Sequence, residues 1–314
     1  LSSAASDVYK RQVINNRGYI SEGTRKKVYA AMEEMHYQPN ELARAFSKQY
    51  TNTIGLIVPH ISHPFFIKVI SNLESSAAEK GFKLLLCNSK EQPEKEQDYL
   101  DMCISNRVAG IVLCSKYVQT REFRKMNIPV VNLERGGDDD TISVQCDNYQ
   151  GGKLAAEHLI ECGCKNLLHF GGVAGKDMPA DRRADGFLRV CRERGIEGEV
   201  LLSDRLSYGS MHYESYIEKG LLEHPETDGI FASSDLIAAQ VLQCLYAMGK
   251  RVPEDIKVVG FDDTVIAGIT TPSITTIHQP IEEMSELSIA YIDRRRKGEM
   301  VPNVTTMPVS LVVR

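Results

Sequence analysis

Tryptophan is missing altogether from the 314 residues, and aromatic residues as a class make up only 7%. Any ring-stacking surface must therefore be built from the 9 phenylalanines and 13 tyrosines. Also lacking is any run of about 18 apolar residues, the length a membrane-spanning helix needs, so no membrane partner is expected. The N-terminus carries charges with no apolar stretch behind them and does not read as a secretory signal. A disulfide framework is absent too. The eight cysteines (Cys87, Cys103, Cys114, Cys146, Cys162, Cys164, Cys191 and Cys244) are scattered, mostly in apolar segments, which reads as reduced thiols and a cytoplasmic location.

Chemistry-bearing motifs are equally sparse. After the first apolar strand comes Pro59-His60-Ile61-Ser62-His63-Pro64, with no glycine to cradle a phosphate. Gly171-Gly172-x-x-Gly175 lacks the full dinucleotide fingerprint. His158, Cys162 and Cys164 have no second pair to complete a metal site, and buried thiols at a helix end explain them better. No Ser/His/Asp set stands in a supporting motif. The reading is of a protein that is not an enzyme, with no cofactor and no metal.

What is present is strongly organised. Residues 1–50 carry eight Lys and Arg against five acids, a net +3, while the whole chain is −5, leaving −8 for the body. A basic head on an acidic body suggests a polyanionic partner for the head alone, although a solvated helix face gives the same count. From Thr51 onward, short apolar runs alternate with helical patterns of 10–17 residues: 53–59 (TIGLIVP), 65–81, 82–88 (FKLLLCN), 93–106, 110–114 (GIVLC) and 129–133 (PVVNL). Near Asp147 the rhythm restarts, with helices over 150–162, 182–194, 210–222 and 234–248 and strands over 166–171, 200–203, 229–232 and 256–260. Buried strands alternating with helices imply parallel sheets built from βαβ units. The fold class is therefore α/β: two doubly wound parallel-sheet lobes, with ligand sites at the strand ends and a cleft between the lobes. Before Thr51 the texture is all-α. One amphipathic helix spans 21–35, with Ser21 as its cap and Val28, Ala31, Met32 and Met35 as its apolar stripe, followed by a short helix over 41–47 capped by Asn40.

Several residues are placed where a ligand is met. Asp262 directly follows a strand, where a carboxylate can accept two ligand hydroxyls; the alternative is a helix cap. Arg183 begins a helix and can give a bidentate pair, or form a surface salt bridge with Asp185 or Asp181. Asp235 caps its helix or faces the cleft, and Asp147 at the lobe junction touches the ligand or fixes the hinge. Ser21, Thr24 and Arg25 gather at a helix N-terminus, a place that attracts phosphate.

The motifs, taken in order, carry a family likeness. Val13-Ile14-Asn15-Asn16, then Ile20-Ser21-Glu22-x-Thr24-Arg25-x-Lys27-Val28, then Tyr37-x-Pro39-Asn40-x-x-Ala43-Arg44, resembles the head and hinge of LacI/GalR repressors. In the body the likeness continues through Thr53-Ile54-Gly55-Leu56-Ile57, Pro64-Phe65-Phe66, Ser234-Asp235-Leu236-Ile237-Ala238 and Val252-Pro253-Glu254-Asp255-Ile256. It runs on through Val259-Gly260-Phe261-Asp262-Asp263 and Pro272-x-Ile274-Thr275-Thr276-Ile277-x-Gln279-Pro280. It covers Val13 to Arg314.

The resemblance implies a periplasmic-binding-protein-like core, an operator-DNA partner, a small-molecule effector such as a sugar, and a cytoplasmic homodimer. It implies a repressor-type regulator, the alternative being a sugar-binding transport receptor of the same fold, which would want a signal peptide and no hinge helix. It adds Asn15 and Tyr19 near the DNA and Asn40, Ala43, Arg44 and Phe46 on a hinge helix, with Phe46 as a minor-groove wedge. It makes Phe65, Phe66 and Phe231 walls of the effector site. Family sugar sites often stack the ring on tryptophan; here phenylalanine or tyrosine must serve.

The chain departs from the family at its start. Family members carry about twenty residues before the position of Val13, with the base-reading side chains among them; residues 1–12 here match none of that pattern and read as a foreign segment. The expected domains are then 1–12, foreign; 13–50, a partial helix-turn-helix head and hinge; 51–147 with about 278–296, the N-terminal lobe; and 148–277 with about 297–314, the C-terminal lobe.

Overall fold

The computed structural model describes residues 21–34, 50–115, 128–136, 141–173 and 178–314. Two compact units emerge, residues 1–51 and 52–314.

Of the first unit the described part is one helix, α1 (Glu22–Glu34). Ser21 caps it as its chemistry suggests: its Oγ accepts from the amide of Thr24 at 3.3 Å and meets the Thr24 hydroxyl at 2.9 Å. Arg25, Val28 and Met32 are half-buried on one face, while Ala31 is exposed. Asn15, Tyr19, Asn40, Ala43, Arg44 and Phe46, and the short helix over 41–47, lie outside the described residues.

The second unit holds two six-stranded sheets. In the N-terminal lobe the strands are β1 (Thr53–Val58), β2 (Lys83–Asn88), β3 (Gly110–Leu113), β4 (Val130–Leu133) and β5 (Ile142–Cys146), with helices α2 (Pro64–Glu79) and α3 (Pro93–Ser105). The chain then enters the C-terminal lobe through α4 (Asn148–Glu161), β6 (Asn166–Val173), α5 (Arg182–Arg194) and β7 (Glu197–Ser203). There follow α6 (Arg205–Ser210), α7 (Glu214–Glu223), β8 (Gly229–Ala232), α8 (Asp235–Ala247), β9 (Lys257–Asp262), α9 (Val265–Ile269) and β10 (Thr275–His278). Helix α10 (Ile281–Arg296) returns to the first lobe, where it packs on α2, and two short strands finish the chain, β11 (Val304–Met307) and β12 (Ser310–Val312).

The sheet orders are β11-β5-β4-β3-β1-β2 and β12-β10-β9-β8-β6-β7. Every pairing is parallel except β10 with β12. Parallel strands buried on both faces explain the near-continuous apolar runs, and Phe170, Phe187, Phe231 and Phe261 of the C-terminal lobe are fully buried. Each such ring removed from water contributes about 1.5–3 kcal/mol.

Three departures from the sequence expectation have physical causes. Strand β5 was not foreseen, because ISVQC mixes Ser143 and Gln145 into its apolar residues. The helix expected over 210–222 starts only at Glu214; Ser210 instead ends the separate short helix α6, closed at Met211, whose φ of 59° is left-handed. The assignment of about 297–314 to the C-terminal lobe needs correction: β11 pairs with β5, Val304 opposite Ser143, in the first sheet, and only β12 joins the second. The reason is edge protection, since β5 would otherwise leave a row of backbone groups unpaired.

Candidate effector site

Because the strands within each lobe run parallel, their carboxyl ends collect at one edge, and the two edges face a single cleft of about 150 Å³. A cavity of about that size holds one six-atom ring. The N-terminal lobe contributes Pro59 and His63 after β1, Cys114 and Ser115 after β3, and Glu134 after β4. The C-terminal lobe contributes Val173, Ser203, Ser233 and Asp262 at or just after the ends of β6, β7, β8 and β9. Phe65 and Phe66, in the first turn of α2, form an apolar wall with ring centroids 5.1 Å apart, edge to face. Tyr208 and Tyr213 are the other aromatic linings. At the rim, His60 meets Tyr208 across the lobes edge-on at 5.6 Å, and Lys68 Nζ donates to the Asp263 carbonyl at 3.2 Å.

Arg183 owes its position to two glycines. A Cβ on Gly152 would lie 1.9 Å from the carbonyl oxygen of Arg183, and one on Gly186 would lie 2.0 Å from that of Tyr149. The bare backbones let α4 and α5 touch and bring the first turn of α5 to the cleft. There Arg183 Nε donates to Asn148 Oδ1 at 2.8 Å, Nη1 donates to the Ser233 carbonyl, and the guanidinium carbon sits 3.5 Å from the ring centroid of Phe261. A stacked, hydrogen-bonded guanidinium is held in place and needs no surface acid. The Asp185 salt bridge belongs instead to its neighbour Arg182, exposed at 3.6 Å.

Asp262 is buried at the end of β9 with φ of 107°, and Gln279 Nε2 donates to its Oδ1 at 2.6 Å. Burial pushes its carboxyl well above the usual range, against the pull of Arg183 and Gln279. Glu134 faces the same cavity. It accepts from the Cys146 amide and, at 3.0 Å, from Asn148 Nδ2, and burial raises its carboxyl as well. His63 caps α2 by accepting from the Phe65 amide at 3.2 Å; burial, with the nearby charge of His60 and Arg183, pushes its pKa down to about 4. The cleft is thus lined by two buried carboxyls, one fixed guanidinium and a neutral imidazole.

Of the seven effector-site residues expected from sequence, Phe65, Phe66, Arg183 and Asp262 line this cavity. The other three stand elsewhere. Asp147 caps α4 at the lobe crossover, accepting from the Gln150 amide at 2.9 Å. Phe231 is buried and stacks on His169 at 4.4 Å. Asp235 accepts from the Thr264 amide (2.6 Å), the Thr264 hydroxyl (2.9 Å) and the Thr276 hydroxyl (2.5 Å), which shapes the loop after Asp262. Sequence reasoning passed over Glu134, although it follows the VVNL strand just as Asp262 follows its own. Asn148 and His63 gave no comparable signal.

Two parallel-sheet lobes around such a cleft define a periplasmic-binding-protein-like ligand-binding core, and comparison with known proteins agrees. The family model for a periplasmic binding protein-like domain matches residues 156–314, and that for bacterial regulatory proteins of the lacI family matches residues 12–40. A ribose operon repressor of Halalkalibacterium halodurans is 34% identical over 307 residues, covering 96% of this chain and 91% of its own length. A sucrose operon repressor of Pediococcus pentosaceus is 34% identical over 304 residues, covering 96% and 92%. The crystal structure of a periplasmic binding protein/LacI transcriptional regulator from Alkaliphilus metalliredigens, complexed with D-xylulofuranose, is 35% identical. It superposes with a TM-score of 0.76 over 84% of this chain and 98% of that one. This chain belongs to the LacI family of bacterial regulatory proteins. It is an effector-controlled, DNA-binding transcriptional regulator, and its relatives are repressors, not enzymes. No helix among the described residues is long and apolar enough to cross a membrane.

Proposed function

We propose that this chain is a cytoplasmic homodimeric repressor whose operator binding is set by a neutral or lightly charged sugar held between Asp262 and Arg183. The observation that carries the reading is the pairing of a buried carboxyl and a fixed guanidinium at one cleft, beside the Phe65–Phe66 wall. A sugar ring offers what that lining asks for: an apolar face for the aromatic wall and adjacent hydroxyls for charge-assisted bonds. The names of the relatives, which refer to ribose and sucrose operons, and the furanose in the Alkaliphilus structure support the class. Control follows from population shift: the sugar binds one lobe arrangement better than the other, and the head follows the lobes.

The test is a thermal-shift panel of pentoses, hexoses, disaccharides and sugar phosphates, followed by calorimetry on Asp262→Asn. Asparagine keeps the shape and tolerates the backbone, so the fold survives. Losing the charged partner costs roughly 2–5 kcal/mol, about thirtyfold or more in affinity. A panel with no hits, or unchanged affinity in Asp262→Asn, refutes the site. Light scattering of the whole chain should give the mass of two chains at micromolar concentration.

A further inference from the structure

Two serines that line the cleft have buried hydroxyls with no hydrogen-bond partner among the described residues. Ser115 follows β3 in the N-terminal lobe, and Ser203 closes β7 in the C-terminal lobe. Both line the cavity, at 2% and 1% exposure, and neither Oγ has a hydrogen-bond partner among the described residues. Their backbones are nonetheless fixed. The Arg135 guanidinium donates to the Ser115 carbonyl, and Ser203 sits in register with Val173 in the second sheet. Neighbouring serines are used otherwise: Ser234 Oγ caps α8 through the Ile237 amide at 3.2 Å, and Ser89 Oγ donates to the Val58 carbonyl at 3.3 Å. Buried hydroxyls are normally satisfied, so two orphans at one cavity, rigidly presented from opposite sides, point to a partner that comes and goes.

We propose that Ser115 and Ser203 are specificity-determining contacts of this cleft, one from each lobe, each bonding a hydroxyl of the bound sugar. The proposal rests on the sugar reading above. Serine and a sugar hydroxyl each both donate and accept, so the pair reads the position of a hydroxyl without demanding charge. Asp262 and Arg183 supply the strong bonds; the serines sort among sugars. A site built to bond a hydroxyl rejects the analogue lacking it far more steeply than an apolar wall rejects one methylene. Because the two serines belong to different lobes, a sugar that satisfies both also ties the lobes together, and one that satisfies only one does not.

The experiment uses the full chain with Ser115→Ala and Ser203→Ala. Without sugar, both variants should melt at or above the wild-type temperature, because the change removes a buried hydroxyl that has no partner among the described residues. A fall of more than about 3 °C would show the hydroxyl holding the fold together and would overturn the proposal for that residue. With the neutral sugar from the panel of D-ribose, D-xylulose and sucrose that binds wild type most tightly, each variant should lose about tenfold in affinity, and the double variant about a hundredfold. The deoxy sugar lacking the matched hydroxyl should bind wild type about tenfold worse, yet bind the matched variant as well as its parent does. Equal affinity of that sugar for wild type and both variants overturns this inference alone. A panel in which no neutral sugar binds wild type overturns it together with the sugar reading.

Discussion

Asn148 holds Arg183 by its Nε: the asparagine oxygen accepts at 2.8 Å, while the same amide donates to Glu134 at 3.0 Å. The two bonds select one orientation of the amide, since the flipped form would set its NH2 against the Nε–H. Glu134 follows β4 in one lobe and Asn148 opens α4 in the other, so the chain of bonds crosses the lobe junction and ends on the cation of the cleft.

Asn148→Ala cuts that chain at its middle. It strands Arg183 Nε and one oxygen of Glu134, both buried, and should lower stability in urea by about 1–3 kcal/mol. Effector affinity should fall at least about tenfold, because the guanidinium loses its anchor. Calorimetry with any sugar that binds wild type decides it. An unchanged Kd would mean that Phe261 and Ser233 hold the arginine without help.

Gly152→Ala should damage the site from behind. The new Cβ would lie 1.9 Å from backbone, not from a side chain that can swing away, so α4 and α5 must part. Overpacking of this kind costs about 1–3 kcal/mol or more, and the shift carries Arg183 with it, so effector binding should weaken as well. Gly268→Ala is the control, since a Cβ there meets nothing within 4 Å. If the two variants melt and bind alike, the helix contact is not what places the arginine.

Acid should expose the buried imidazole of His63, whose pKa is pushed down to about 4 from 6.5 by burial and nearby positive charge. As pH falls below 6.5 the unfolded chain takes up a proton that the folded chain refuses. The stability tied to His63 is therefore complete above pH 6.5 and is lost on the way down to about pH 4. The loss amounts to about 3 kcal/mol by pH 4. Asp262, Glu134 and Asp235, raised by burial, act in the opposite sense, so the clean quantity is a difference. His63→Asn keeps a side-chain acceptor for the Phe65 amide and removes the titration. Denaturation curves between pH 7 and 4 should converge on, then cross, those of wild type. Parallel curves would place no proton linkage on His63.

In the head, the expected phosphate-facing residues separate by charge. Ser21→Ala removes the cap of α1 and should weaken binding to any DNA by a similar factor, leaving the salt slope unchanged. Arg25→Ala should weaken it across sequences too and lower the slope of log K against log salt by about one. Fluorescence anisotropy on two unrelated duplexes at several salt concentrations separates them. A loss confined to one duplex would make either residue a reader of bases.

The amino-acid sequence was enough to establish the α/β class and the restart near Asp147. Buried parallel strands demand continuous apolar runs, and that pattern is local. Ordered motifs from Val13 to Gln279 were enough to indicate the family. Asp262 and Arg183 were legible because a charged residue at a strand or helix end stands out against apolar neighbours. The tertiary structure decided the rest, because a cleft is made by elements distant in sequence. It stacked Phe231 on His169 in the core and turned Asp235 onto Thr264 and Thr276, and it brought Glu134 and Asn148 together across the lobe junction. It also left the hydroxyls of Ser115 and Ser203 without partners among the described residues, which no local pattern can show, since a hydrogen bond that is missing depends on everything that might have reached it. Periodicity likewise could not send β11 to the first sheet and β12 to the second; only the free edges of the finished sheets determine that.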